Sequence, residues 1–385
     1  MPKDYLFTSE SVNEGHPDKV CDQIADSLLD TLIAQDPDSR VAVECMVTTG
    51  SVHVAGEVTT RGFADVQQIA RRVLREVGYT DPEFGMDWQD AGVWVSLHDQ
   101  SSEISEGVSG GRGRPQGAGD QGMMFGYACD ETPQLMPMPI QIAHRLCMRL
   151  AEVRRERIIP NLGPDGKSQV TVEYRDGRPV RIASVVVAQQ HGRSIVESRL
   201  RHEIIEQVIR PVCGPLVDES TRTFINAAGS FTLGGPEADT GVTGRKIVAD
   251  SYGGMSRNGG GAMSGKDPSK VDRSGAYVAR WIAKNIVAAG LARRCEIQLS
   301  YVIGEPSPIN LLIDTQGTGA RDELELERIV RAVFPLSPRE IIATLDLTRP
   351  IYRKTASFGH FGREDPDFTW ERTDRVDILR REAGL

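Results

Sequence analysis

The feature that most constrains this chain is a supersecondary pattern that occurs three times along its 385 residues. In the first copy, Val20, Ile24, Leu28 and Leu32 recur near helical spacing and predict a helix over 19–34. Two strand patterns, 40–48 and 51–59, follow across Thr49-Gly50, and a second helical pattern covers 64–77. The second copy has a helix at 140–157, strands at 169–174 and 180–188 across Asp176-Gly177, and a helix at 194–209. The third has a helix at 275–289, strands at 295–303 and 308–315, and a helix at 323–333. A period on the order of 120–135 residues is that of a triplicated domain and not of a solenoid. Hairpins build antiparallel or mixed sheets, and the helices must cover a sheet face. The expected class is α+β, with three similar helix–hairpin–helix layers around a pseudo-threefold axis. The division reads as an N-terminal repeat over 1–100, a flexible glycine-rich lid over 101–116, a central repeat over 117–232 and a C-terminal repeat over 233–385; strands exchanged between repeats are compatible with it.

Between and inside these layers lie glycine–charge clusters. The densest runs from Gly259 to Ser274 and contains Gly259, Gly260, Gly261, Gly265, Lys266, Asp267, Lys270 and Asp272. Glycines let backbone N–H groups approach an anion, lysines supply point charges, and an aspartate offers hard oxygen to Mg²⁺. The spacing from Gly260 to Lys266 is that of a P-loop, but Asp267 stands where a Ser or Thr would bind Mg²⁺, and no strand leads directly into it. It reads as a phosphate loop of another kind. Glu14-Gly15-His16-Pro17-Asp18-Lys19 opens the first helix, with Asp18 a Mg²⁺ candidate and His16 placed to stabilise a developing alkoxide. Gly117 to Ala128 matches G-x-G-x-x-G, yet Arg114-Pro115-Gln116 precede it where a dinucleotide fold needs a strand, so NAD is rejected. Asp165-Gly166-Lys167 and Gly241 to Lys246 place further basic groups on turns. Lys167, Arg245, Lys246, Lys266 and Lys270 together match a polyphosphate carrying about four charges.

Net charge is −9, which argues against a nucleic-acid or anionic-membrane surface, so the cationic groups must form sites and not faces. The six cysteines lie far apart with no C-x-x-C pair, as in a reducing compartment without zinc or disulfides. The N-terminus lacks an apolar leader, and no run approaches the ~18 apolar residues of a membrane span. The expected location is cytoplasmic. His53, His98, His144, His191, His202 and His360 show no metal-ligand spacing and read as structural or surface residues. No serine or cysteine nucleophile signature is present.

Gly15-His16-Pro17-Asp18-Lys19, the Gly117–Ala128 run and Gly259–Pro268 resemble the three signature motifs of the S-adenosylmethionine synthetase (methionine adenosyltransferase) family. The resemblance extends from Phe7 to Glu364. It implies an ATP-dependent alkyl transfer in which methionine sulfur attacks C5′ and expels the triphosphate, which is then hydrolysed to pyrophosphate and phosphate. By matching position, it puts His16, Asp120, Asp165, Lys167, Phe231, Asp239, Arg245, Lys246, Ala262 and Lys266 around ATP, with His16, Lys167, Arg245 and Lys266 in catalytic roles. It puts Glu57, Gln100, Asp239 and Lys270 on methionine. Asp18 and Asp272 would hold two Mg²⁺ ions and Glu44 one K⁺. A homodimer or homotetramer with sites at the dimer interface is implied as well. Met263 stands where a phenylalanine is common, a packing change only, and Ser230 where some members have arginine. Two other readings would use the same Mg²⁺–triphosphate pocket or its remnant: an ATP-dependent phosphotransferase and a catalytically silent regulatory paralogue.

Overall fold

The computed structural model describes residues 4–100 and 116–385. The segment read as a lid lies outside the described residues except for Gln116. The first hairpin pairs β2 (Arg40–Thr48) with β3 (Ser51–Thr59) with the register expected of a Thr49-Gly50 turn, Thr48 facing Ser51. The second, β6 (Leu162–Arg175) with β7 (Arg178–His191), turns on Asp176 and Gly177, both at positive φ (47° and 71°), the backbone of a type I′ turn. The third pairs β10 (Arg294–Tyr301) with β11 (Asn310–Asp314).

Each hairpin takes its next strand from elsewhere in the chain. β1 (Tyr5–Val12) lies antiparallel to β6, β5 (Gly122–Cys129) antiparallel to β10, and β9 (Gly241–Val242) antiparallel to β2. The strand that precedes each hairpin thus pairs not with that hairpin but with the one after it, and the strand preceding the third hairpin returns to the first. In two sheets a further strand runs parallel to the second hairpin strand: β4 (Gly92–His98) beside β3, and β8 (Arg222–Ile225) beside β7. Two of the three main sheets are therefore mixed and the third, β11-β10-β5, is antiparallel throughout, and the cyclic exchange gives the threefold arrangement its connectivity.

Helix α1 (Pro17–Ile33) packs on β2, α3 (Met138–Arg155) on β6 and β1, and α5 (Val271–Ala288) on β5 and β10. Helices α1 and α5 are buried on nearly every side; α3, α2 (Val66–Val77), α4 (Glu197–Ile204) and α6 (Glu323–Val333) keep polar faces. Gly126 of β5 shows how close the layers come, since a Cβ there would stand 2.1 Å from the Ala279 carbonyl carbon of α5. Helix α4 starts at Glu197, later than expected, and continues as a π-turn over Ile205–Ile209. Pro211 has no N–H to return to the Gln207 carbonyl, and the Arg149 guanidinium takes that oxygen instead at 2.8 Å. Among the described residues no helix is long and apolar enough to cross a membrane.

The C-terminal stretch closes over α5, where Trp370 stacks on Tyr277 with centroids 3.8 Å apart. Glu371 anchors it by accepting from Arg280 Nε (3.0 Å) and from Lys284 Nζ (2.6 Å), while Arg280 also donates to the carbonyls of Tyr127 and Gln134. Burial pushes the Glu371 carboxyl up, but the two cations outweigh it and hold it below the ordinary range. A depressed folded pKa contributes stability that is present above the unfolded value, about 4.3, and is lost as pH falls through the folded one. Glu371→Gln is expected to cost about 3 kcal/mol at pH 7. Thermal melts from neutral to acid pH should show the gap between wild type and variant closing as the wild-type carboxyl protonates.

Candidate active site

The edge of β2 away from β3 organises the site. Gly241 and Val242 pair with Val47 and Met46, and Thr243 donates its N–H to the Cys45 carbonyl. Farther along the same edge, Val43 donates to the Gly265 carbonyl, Lys266 bridges Ala42, and Asp267 exchanges bonds with Val41. Two cation-bearing loops, one carrying Arg245 and Lys246 and the other Lys266, are therefore held on a single strand edge. Gly265 has to be glycine: φ is +79°, and a Cβ would stand 2.0 Å from the Val43 carbonyl oxygen.

His16 caps α1 directly ahead of Pro17, and its Nδ1 accepts the Asp18 N–H at 3.2 Å. That bond assigns the ring proton to Nε2. Burial, then the charges of Lys246 and Lys167, lower its pKa to about 3, so the buried ring is a neutral donor at physiological pH. Asp18 is fully buried, accepts the Val242 N–H at 2.9 Å, bonds the Lys246 ammonium and lies 3.5 Å from the Arg245 guanidinium. Burial pushes its carboxyl up, but Lys246 and the Val242 amide bring it below the usual carboxylate range. Lys167 is exposed at the end of the β1–β6 pairing, opposite Val12. Buried Asp165 accepts the Gly235 N–H at 2.9 Å through Oδ2, its Oδ1 has no partner among the described residues, and burial raises it to about 6. Asp239 is exposed nearby, within reach of the Asp165 charge. Phe231 is half-buried, exchanging bonds with His191, and Ala262 sits against Gly244.

A second group occupies the outer face of the β2 sheet. Lys266, Ala42, Glu57 and His98 form one row across the strands, with Glu44 a row away. Lys266 Nζ reaches Asp272 Oδ2 at 2.6 Å, and His98 Nε2 stands 3.2 Å from Glu57 Oε1. Crowding by the surrounding protein raises the Glu44 carboxyl against the pull of Lys266, and Glu57 adds to the rise. Gln100 is tethered by its N–H to Thr59 Oγ1, and Lys270 is buried on Asp267. Asp120 is exposed and caps its own neighbour, Gln121; among the described residues it bonds none of the other candidates.

The residues fit the expected metals. Asp18 and Asp272 each present one carboxylate already facing a lysine, and no cluster of three acid, histidine or cysteine side chains gathers among the described residues. Mg²⁺ accompanying a triphosphate asks for just that, one or two carboxylates completed by phosphate oxygens and water. Glu44 offers an exposed carboxylate on the outer face, the oxygen ligand that the expected K⁺ would need. Sequence reasoning gave no site role to Lys19, Asp22, Asp26, Asp250 or Arg273, all buried and all linked to the two loops. Charges at such positions in apolar helices were the available signal, but their partners are distant in sequence.

Fold and site together define an α+β protein of three exchanged sheets with two cation-bearing loops held on one strand edge. Residues 4–102, 115–231 and 233–372 match, in order, the N-terminal, central and C-terminal domains of S-adenosylmethionine synthetase. The chain belongs to the S-adenosylmethionine synthetase family. It is 54% identical over 384 residues to the S-adenosylmethionine synthase of Syntrophobacter fumaroxidans (strain DSM 10017 / MPOB), covering 99% of each chain. It is 53% identical over 388 residues to the S-adenosylmethionine synthase of Desulfosudis oleivorans (strain DSM 6200 / JCM 39069 / Hxd3), covering both chains fully.

Proposed function

We propose that this chain forms S-adenosylmethionine from ATP and L-methionine by attack of sulfur on C5′, and that the expelled tripolyphosphate is hydrolysed to pyrophosphate and phosphate in the same pocket. The observation that carries this reading is His16, a neutral buried donor flanked by Lys246 and Lys167. A thioether has no proton to lose, so the reaction needs no general base. It needs in-line placement and stabilisation of charge growing on O5′. His16 Nε2–H serves that oxygen; Lys167, Arg245, Lys246 and Lys266 balance the phosphates. Asp165 and Phe231 line the nucleoside, with Asp120 and Ala262 beside it, and Asp239, Glu57, Gln100 and Lys270 hold methionine. Asp18 and Asp272 would hold Mg²⁺, which would supply further neutralisation of the triphosphate, and Glu44 would hold K⁺.

The phosphate arms and the methionine residues of the outer sheet face are joined in this reading by a second copy of the chain. Supporting it, that face exposes Trp94 (64%) and Met46 (37%) between its polar rows. Light scattering should give at least a dimer. Incubation with ATP, methionine, Mg²⁺ and K⁺, followed by mass detection, should yield S-adenosylmethionine with no ADP; ADP and a phosphorylated acceptor would mean a phosphotransferase.

The two metal types separate by substitution. Losing a carboxylate ligand should cost at least the ~10-fold in metal affinity that loss of an outer partner costs. Asp272→Asn is expected to raise the Mg²⁺ needed for half-maximal rate by that much, and Glu44→Gln to blunt K⁺ activation with the Mg²⁺ titration unchanged. Initial rates against each ion check both.

A further inference from the structure

Helix α1 carries aspartates at 18, 22, 26 and 30, every fourth position and so along one helical stripe. Asp18, Asp22 and Asp26 are fully buried. Like charges at this spacing repel, and burial adds a desolvation cost. What offsets it is a ladder of bonds to chain far away in sequence. Asp18 accepts the Val242 N–H, Asp22 Oδ1 the Gly244 N–H at 2.9 Å, Asp26 Oδ1 the Gly265 N–H at 2.8 Å, and Asp30 those of Tyr352 and Arg353.

The two inner rungs have a common logic. Gly244 immediately precedes Arg245 and Lys246, and Gly265 immediately precedes Lys266. The other oxygen of Asp22 takes Lys19 Nζ at 2.6 Å, which is shared with Asp250. The Asp26 carboxylate is forked by Arg273 at 3.0 and 2.8 Å, and the same guanidinium donates to the Lys266 carbonyl at 3.0 Å. Each loop is thus pinned one or two residues before its cations by a charge-assisted bond to the same rigid helix. A loop left to itself would lose its cations' alignment, since positioning is set by what holds the backbone.

We infer that Asp22 and Asp26 are positioning residues, fixing through the Gly244 and Gly265 amides where Lys246 and Lys266 stand to receive the triphosphate. This rests on the proposed reading of those lysines as phosphate groups, and neither aspartate itself meets substrate.

The test combines amide hydrogen exchange on the full-length, substrate-free protein with steady-state kinetics. Asp22→Ala removes the acceptor, and exchange over 241–246 should quicken roughly 10-fold while 264–267 stays as in wild type. Asp22→Asn keeps a neutral acceptor, about half as strong as a charged one, and should quicken the same peptide about 3-fold. KM for ATP should follow the same order, up about 10-fold in the alanine variant, with KM for methionine within about 2-fold. Wild-type exchange over 241–246 in a folded variant overturns the inference. So does loosening spread evenly along α1 with both KM values rising together. If the alanine variant does not fold, the asparagine variant decides by the same criteria. If wild type makes no S-adenosylmethionine, the functional reading fails, and the exchange result alone still judges the ladder.

Discussion

His16→Asn is expected to slow S-adenosylmethionine formation about 10²-fold or more, the usual effect of removing one donor from a developing oxyanion, while added tripolyphosphate is still hydrolysed. His16 is the N-cap of α1, and its Nδ1 is committed to the Asp18 amide, so only Nε2–H is left to act. Asparagine also caps helices well, so the turn into α1 survives. Its side chain is shorter and cannot put a donor where Nε2 stands. The lost interaction is one made only as the C5′–O5′ bond breaks, so the synthetic rate suffers and phosphate binding does not. Because the imidazole titrates near pH 3, the synthetic rate should show no His16 ionisation between about pH 5 and 8. Equal loss of synthesis and tripolyphosphate hydrolysis would instead assign His16 to folding or phosphate binding.

Arg273→Met is expected to be the most destabilising single change considered, about 3–5 kcal/mol, because it leaves a buried carboxylate without its partner. Both Arg273 and Asp26 are fully buried, and their fork is the only cation pairing of Asp26 among the described residues. The attraction of Asp26 holds Arg273 charged against the cost of its burial. The guanidinium also lies 4.4 Å from the Tyr352 ring centroid, so methionine keeps apolar contact there but not the charge. Adding Asp26→Leu should recover a large part of the loss, since an apolar pair of similar volume is often no worse than a buried ion pair. Denaturant unfolding of the two single variants and the double variant measures the coupling. The doubly substituted protein should still bind ATP poorly, because Lys266 loses both its Gly265 anchor and its carbonyl donor.

Local pattern carried most of the fold. The strands 40–48 and 51–59 and the helix 323–333 have the expected bounds, because alternation, a turn dipeptide and an amphipathic stripe are local signals. Strands β1 and β5 were not separately legible. Each pairs with a hairpin far along the chain, and β5 hides in a glycine-rich run whose Gly126 answers to a helix backbone and not to a turn. The π-turn at 205–209 depends on an arginine from α3. In the site, the glycine–charge motifs marked the loops that meet at the β2 edge, but not the edge itself. The aspartates of α1 were readable as a fourfold spacing; that they accept amides from three separate distant segments follows only from the tertiary structure.

The central claim is that bond breaking occurs between C5′ and O5′, with the whole triphosphate as leaving group. ATP carrying ¹⁸O in the 5′ bridging position tests it directly when turned over with methionine, Mg²⁺ and K⁺. The account predicts unlabelled S-adenosylmethionine, with all the label in the released phosphates. Label retained in ADP, AMP or any other adenosine-containing product would contradict it.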